Sequence, residues 1–126
     1  MTFFIGEKDD YTPHEHCENY ISRLQNAGAF INVISYPNSH HGWVADYNML
    51  YAKNVQVFYR CRMEIDDDGV IRDTKSSASS EMGWRPFLKA MIESGCIKRG
   101  AHVGRNKKTR EQFLMDVVGF FSETLK

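Results

Sequence analysis

The sequence predicts an α/β domain built on a parallel sheet, and two observations predict it. A capped, amphipathic helical segment lies between two short apolar runs within residues 3–36, the order strand, helix, strand. The lengths also match. The helix spans about 21 Å and the second run about 23 Å, as a helix returning along its own sheet requires. The two strands are then expected to be parallel neighbours joined by a right-handed crossover.

Each element has its own justification. Phe3-Phe4-Ile5, closed by Gly6, reads as the end of a buried strand, and residues 6–11 form a polar loop. Thr12 suits an N-cap, Pro13 the first helical position, and Glu15 completes a capping box. Cys17, Tyr20, Ile21, Leu24 and Ala27 repeat at helical spacing, and Gly28 ends the helix. Ala29 to Tyr36 is the clearest strand, broken by Pro37-Asn38-Ser39.

The second half is less regular. A polar strand is expected within Val55 to Ile65, and a solvated turn at Asp66-Asp67-Asp68-Gly69, which lacks the spacing and terminal Glu of a calcium loop. Asp73 to Glu81 reads as an exposed loop, Trp84 to Ser94 as a helix, and Arg99 to Lys108 as a basic loop. Thr109 to Leu125 is expected to be an amphipathic helix burying Phe113, Leu114, Val117, Val118, Phe121 and Leu125.

Composition narrows the functions. The 126 residues are 42% hydrophobic and 25% charged, as in one ordinary globular domain. Sixteen basic residues balance sixteen acidic ones, which argues against nucleic acid as a partner. No window resembles a membrane span or a signal peptide. The three cysteines, Cys17, Cys61 and Cys96, form no CxxC pair, so structural zinc is not expected. Cys17 suits a small buried hydrophobe. Cys61 and Cys96 are a possible disulfide if the protein is exported, although sequence alone cannot set their separation.

In open parallel sheets, ligand sites gather beyond the carboxyl ends of the strands. Asp9 and Asp10 follow the first strand, and His40 and His41 follow the second. Parallel neighbours lie about 4.8 Å apart, so both loops open at one sheet edge. A carboxylate there could hold one imidazole nitrogen and make the ring a general base. The plainer reading is two solvated loops.

Two segments carry a resemblance that favours the base. Gly6-Glu7-Lys8-Asp9-Asp10-Tyr11-Thr12-Pro13 resembles the acid loop of the dienelactone hydrolase family, a branch of the α/β-hydrolases, and Tyr36-Pro37-Asn38-Ser39-His40-His41-Gly42-Trp43 resembles its histidine loop. In that family the acid stands four residues before the proline and the histidine five after the tyrosine. The resemblance therefore selects Asp9 over Asp10 and His41 over His40. It is closest over residues 3–46 and extends to the final helix, about 107–125. The segment from about 55 to 105 resembles an insertion of some bacterial members, with a cysteine near each end. The implied fold is the C-terminal part of an α/β-hydrolase: a βαβ unit over 1–46, the insertion, a closing helix, and an incomplete parallel sheet.

The resemblance implies a hydrolase of carboxylic esters or lactones working through a nucleophile–His–Asp triad, with no cofactor or metal. The nucleophile should precede the acid on a G-x-S-x-G or G-x-C-x-G elbow, and these residues contain none. Ser35, Ser39 and Ser122 lack the flanking glycines, and Gly95-Cys96-Ile97-Lys98-Arg99-Gly100 has the wrong spacing. The chain is therefore expected to be part of a longer hydrolase, marginally stable and inactive by itself. Tyr11 and Trp43 are weak candidates for the substrate pocket, and packing serves them equally well. Two rivals remain: a metal site among His40, His41, Asp9 and Asp46, and a non-catalytic βαβ module that binds a partner. The sequence indicates neither the ester, the oligomeric state nor the compartment.

Overall fold

A computed structural model describes residues 1–125. The chain mixes helices with short strands: β1 (Thr2–Gly6), α1 (His14–Asn26), β2 (Asn32–Tyr36), β3 (Leu50–Val57), β4 (Met63–Ile65), β5 (Ile71–Asp73), a 3-10 turn (Ser80–Met82), α2 (Trp84–Glu93), β6 (Lys98–Val103) and α3 (Lys107–Thr124). The strands form three two-stranded sheets, β1–β2, β3–β6 and β4–β5. Two compact units result: residues 1–52 with 101–126, and residues 53–100.

The first unit contains the parallel pair. β1 runs beside β2 with Thr2 opposite Asn32 and Gly6 opposite Tyr36. Side chains alternate across a strand, so β1 meets different helices on its two faces. Phe3 lies edge-on to Tyr20 of α1 at 6.4 Å, and Phe4 lies edge-on to Phe113 of α3 at 5.4 Å. Tyr36 and Trp43 close on the same Phe113 ring at 5.9 and 6.0 Å. Tyr36 is buried, and its hydroxyl donates to Asp116 Oδ2 at 2.7 Å. Burial first, and then the Asp116 carboxylate, push the Tyr36 phenol well above the ordinary tyrosine range.

Several expectations are corrected here. Thr12 does not cap α1. Pro13 occupies the cap position without a side-chain bond, and the Thr12 hydroxyl turns back to Asp9 Oδ2 at 3.0 Å. A local side chain has outcompeted the helix end for that hydroxyl. β2 begins at Asn32, and Phe30, assigned to the strand from sequence, is 89% exposed. On α1 only Ile21 is fully buried, while Tyr20 is exposed. On α3 the stripe is displaced. Phe113, Val117 and Phe120 are half-buried, whereas Leu114, Val118, Phe121 and Leu125 are exposed. The helix packs by the turn-to-turn row that meets Phe4 and Tyr36, and the apolar residues on the next row are left outside.

The second unit is stapled. Cys61 and Cys96 form a disulfide with their Cα atoms 4.9 Å apart. Ala78, Phe87 and Met91 make its buried cluster, with Ile71, Ala90 and Ile97 packed around them. The strand expected within 55–65 is interrupted: β3 ends at Val57, and only Met63–Ile65 resumes. Residues 73–81 are an exposed loop only in part: residues 74–77 and Glu81 are exposed, whereas Asp73, Ala78 and Ser79 are buried. The Asp73 N–H donates to the Ala78 carbonyl, and Ser76 Oγ donates to Asp73 Oδ2 at 2.6 Å. These bonds satisfy the buried polar groups that a serine-rich segment carries. The Asp66–Gly69 turn joins β4 to β5, with Asp66 Oδ1 accepting the Asp68 and Val70 N–H groups.

Residues 99–108 are likewise not a loop throughout, because β6 runs to Val103. Beyond it, His41 bridges Val103 and Asn48 bridges Arg105, both parallel. Gly104 sits at φ +118° with the Asn48 carbonyl 2.7 Å from where a Cβ would stand. Only glycine meets both demands.

Candidate functional site

The carboxyl ends of β1 and β2 are drawn together by the backbone. The Glu7 N–H donates to the Tyr36 carbonyl at 3.2 Å, and the Lys8 N–H to the Ser39 carbonyl at 2.9 Å. Gly6 makes the approach possible. A Cβ there would lie 2.7 Å from the Ser39 carbonyl oxygen and 3.0 Å from the Trp43 ring. Asn38 turns the second loop at φ 54°, a left-handed conformation that asparagine tolerates. The Ser39 hydroxyl is buried against Thr109 Oγ1 at 2.7 Å. The Gly104 N–H donates to the His41 carbonyl at 2.9 Å, so the histidine loop is held from both sides.

These constraints place His41 Nδ1 2.9 Å from Asp9 Oδ2. Asp9 is saturated with donors. The Tyr11 and Thr12 N–H groups reach Oδ1 at 2.9 and 2.8 Å, and the Thr12 hydroxyl and the His41 ring reach Oδ2. A carboxylate accepts only, so His41 donates from Nδ1. Its Nε2 then carries the lone pair. The Asp9 side chain is 9% exposed and that of His41 41%. The carboxylate is thus largely enclosed while the ring remains accessible, an arrangement that would orient an imidazole for proton transfer.

Tyr11 stacks on His41, with ring centroids 4.5 Å apart. A cavity of about 300 Å³ borders the pair. Gly6, Asp9, Thr12, Cys17, His41 and Trp43 are among its walls, and Tyr11 is not. Cys17, expected in the core, is a half-buried free thiol on that wall. Trp43 serves two roles, lining the cavity and packing on Tyr36 at 5.6 Å.

The neighbouring acid has its own partners. Asp10 Oδ1 accepts the His102 N–H at 2.9 Å, and Oδ2 accepts the His102 ring Nδ1–H at 2.7 Å. Burial raises the Asp10 carboxyl, and the bonds from His102 outweigh it, holding the group below the usual carboxylate range. His40 Nδ1 lies 3.8 Å from Asp10 Oδ1, beyond hydrogen-bond distance. The rival metal grouping of His40, His41, Asp9 and Asp46 does not assemble among the described residues. His40 and His41 address different carboxylates, and Asp46 is exposed. Among the described residues, the His/Asp group whose donor atoms do converge is Asp10, His40 and His102.

Thr12 and His102 were missed as site residues by the sequence reading. For Thr12 a signal existed, because a hydroxyl three residues after an aspartate in a turn favours a bond back to it. For His102 none existed, since only the tertiary pairing of residue 103 with residue 41 brings it to Asp10.

Comparison of the chain with protein-family models, curated proteins and solved structures finds no match. Among the described residues, no helix is long and apolar enough to cross a membrane.

Proposed function

We propose that this chain supplies the acid and the general base of an α/β-hydrolase-like site acting on carboxylic esters or lactones, as its resemblance to dienelactone hydrolases implies. The observation that carries the reading is the 2.9 Å contact of the buried Asp9 carboxylate with the open His41 ring, beyond two parallel strand ends. In this mechanism a hydroxyl or thiol attacks the ester carbonyl and passes its proton to His41 Nε2. The tetrahedral intermediate collapses to an acyl-enzyme, with that proton leaving on the alcohol. Water then attacks the acyl carbonyl and gives its proton to His41 Nε2, and the acyl–enzyme bond breaks as His41 returns that proton to the nucleophile and the carboxylic acid leaves. Asp9 keeps the Nδ1–H tautomer and stabilises the imidazolium. Thr12 positions Asp9. No serine or cysteine elbow stands within these residues, so the nucleophile comes from outside them.

The test has two arms. The purified 126-residue chain should not turn over 4-nitrophenyl esters. The protein isolated from its native source should hydrolyse them, and His41→Ala introduced in the native gene should abolish that activity. Native protein that is inactive, or insensitive to His41→Ala, contradicts the reading. Turnover by the 126-residue chain that Cys17→Ser abolishes would move the nucleophile to the cavity wall within this chain.

A further inference from the structure

We infer that Asp10, His40 and His102 form a binding site for a divalent transition-metal cation of the Zn²⁺ type, separate from the Asp9–His41 pair and independent of the hydrolase reading. One donor atom of each residue lies within 4.8 Å of those of the other two. Two imidazoles and one carboxylate are a borderline donor set. It suits Zn²⁺, Co²⁺ or Ni²⁺ and is too poor in oxygen for Ca²⁺ or Mg²⁺.

Two further observations single this group out. His40 Nδ1 is buried and has no hydrogen-bond partner. A buried, unsatisfied ring nitrogen is costly, and a metal ion would satisfy it. The Asp10 carboxylate is also pre-oriented by the His102 backbone N–H at Oδ1, a bond that does not use the His102 ring. That bond remains when the ring turns to a metal, and it fixes the carboxylate as outer-shell donors fix metal ligands.

The spacing is compatible with a small ion. Donors about 2.0–2.1 Å from a tetrahedral metal are about 3.3 Å from one another. His102 Nδ1 stands 2.7 Å from Asp10 Oδ2 and His40 Nδ1 3.8 Å from Oδ1, so the carboxylate turns one oxygen toward each ring at distances of that order. Binding moves the His102 ring proton from Nδ1 to Nε2 and leaves the Nδ1 lone pair to the metal. The His102 and Asp10 side chains are 44% and 42% exposed, so ions can enter and solvent can complete the shell. His40 and His102 have ring centroids 4.9 Å apart, with Tyr51 at 4.9 Å from His102 on its other contact.

The test is calorimetric titration of the full chain, stripped with EDTA, with Zn²⁺ alone. One ion per chain is expected. His40→Ala, His102→Ala and Asp10→Asn should each weaken binding by at least about tenfold, and His14→Ala/His16→Ala should leave it unchanged. X-ray absorption on the Zn²⁺-loaded wild-type chain needs no variant to fold, and should show two imidazoles and no sulfur. Absence of binding, binding indifferent to His40→Ala and His102→Ala, or a zinc shell with sulfur or fewer than two imidazoles would overturn the site.

Discussion

The two units reach order by different means. The unit of residues 1–52 and 101–126 rests on a parallel strand pair and an aromatic cluster of Phe4, Tyr36, Trp43 and Phe113. The unit of residues 53–100 has three buried apolar side chains at its centre and a disulfide beside them. So small a core does not hold a segment of this length without a covalent staple. The first unit therefore positions the Asp9–His41 pair through packing and backbone hydrogen bonds, whereas the second depends on its cross-link and on local polar bonds.

Removing the cross-link should have the largest effect. A disulfide closing a separation of 35 residues contributes about 4 kcal/mol by chain entropy. Cys61→Ser/Cys96→Ser should abolish slow amide exchange in α2 and leave that in α1 unchanged. Equal loss of protection in both helices would mean that the division into units is wrong.

The matching test in the first unit is Gly6→Ala. The added methyl meets the Ser39 carbonyl and the Trp43 ring, so the loops must separate, at about 2–3 kcal/mol. Denaturant unfolding reads the loss. Hydrogen exchange in α2 should be unaffected.

A smaller effect is expected from Tyr36→Phe. It deletes the bond to Asp116, which keeps the Gln112 Nε2 donor at 2.8 Å, for about 1 kcal/mol. The sign of its pH dependence follows from the raised phenol. The folded state holds the proton more tightly than the unfolded chain. Stability from this group is therefore fully present below the ordinary tyrosine pKa of about 10 and is lost as pH rises through the higher folded value. Wild-type unfolding curves should weaken as pH rises above about 10, and the Tyr36→Phe curves should weaken less.

The same contrast explains what the sequence disclosed. Over residues 3–46 the signals are periodic and local, and strand, helix, strand could be read from them; they left Asp9 open against Asp10 and His41 against His40, and the resemblance made that choice. The errors there came from competition at boundaries. Thr12 bonds Asp9 instead of capping a helix, and the apolar residues of α3 outnumber the places in its packed face, so Leu114, Val118 and Phe121 are exposed. Over 53–100, strands of three residues carry no readable period. Burial of Asp73 and Ser79 depends on hydroxyl and backbone partners that composition does not reveal. The pairing of Asp10 with His102 was hidden for another reason, since they are 92 residues apart and meet only through tertiary pairing.

The most direct test of the Asp9–His41 pair is the tautomer of His41, read from the two ring-nitrogen shifts of the ¹⁵N-labelled chain by NMR at a pH where the ring is neutral. The proton is expected on Nδ1, with that signature lost in Asp9→Asn. A ring protonated at Nε2, or one indifferent to Asp9→Asn, would contradict it.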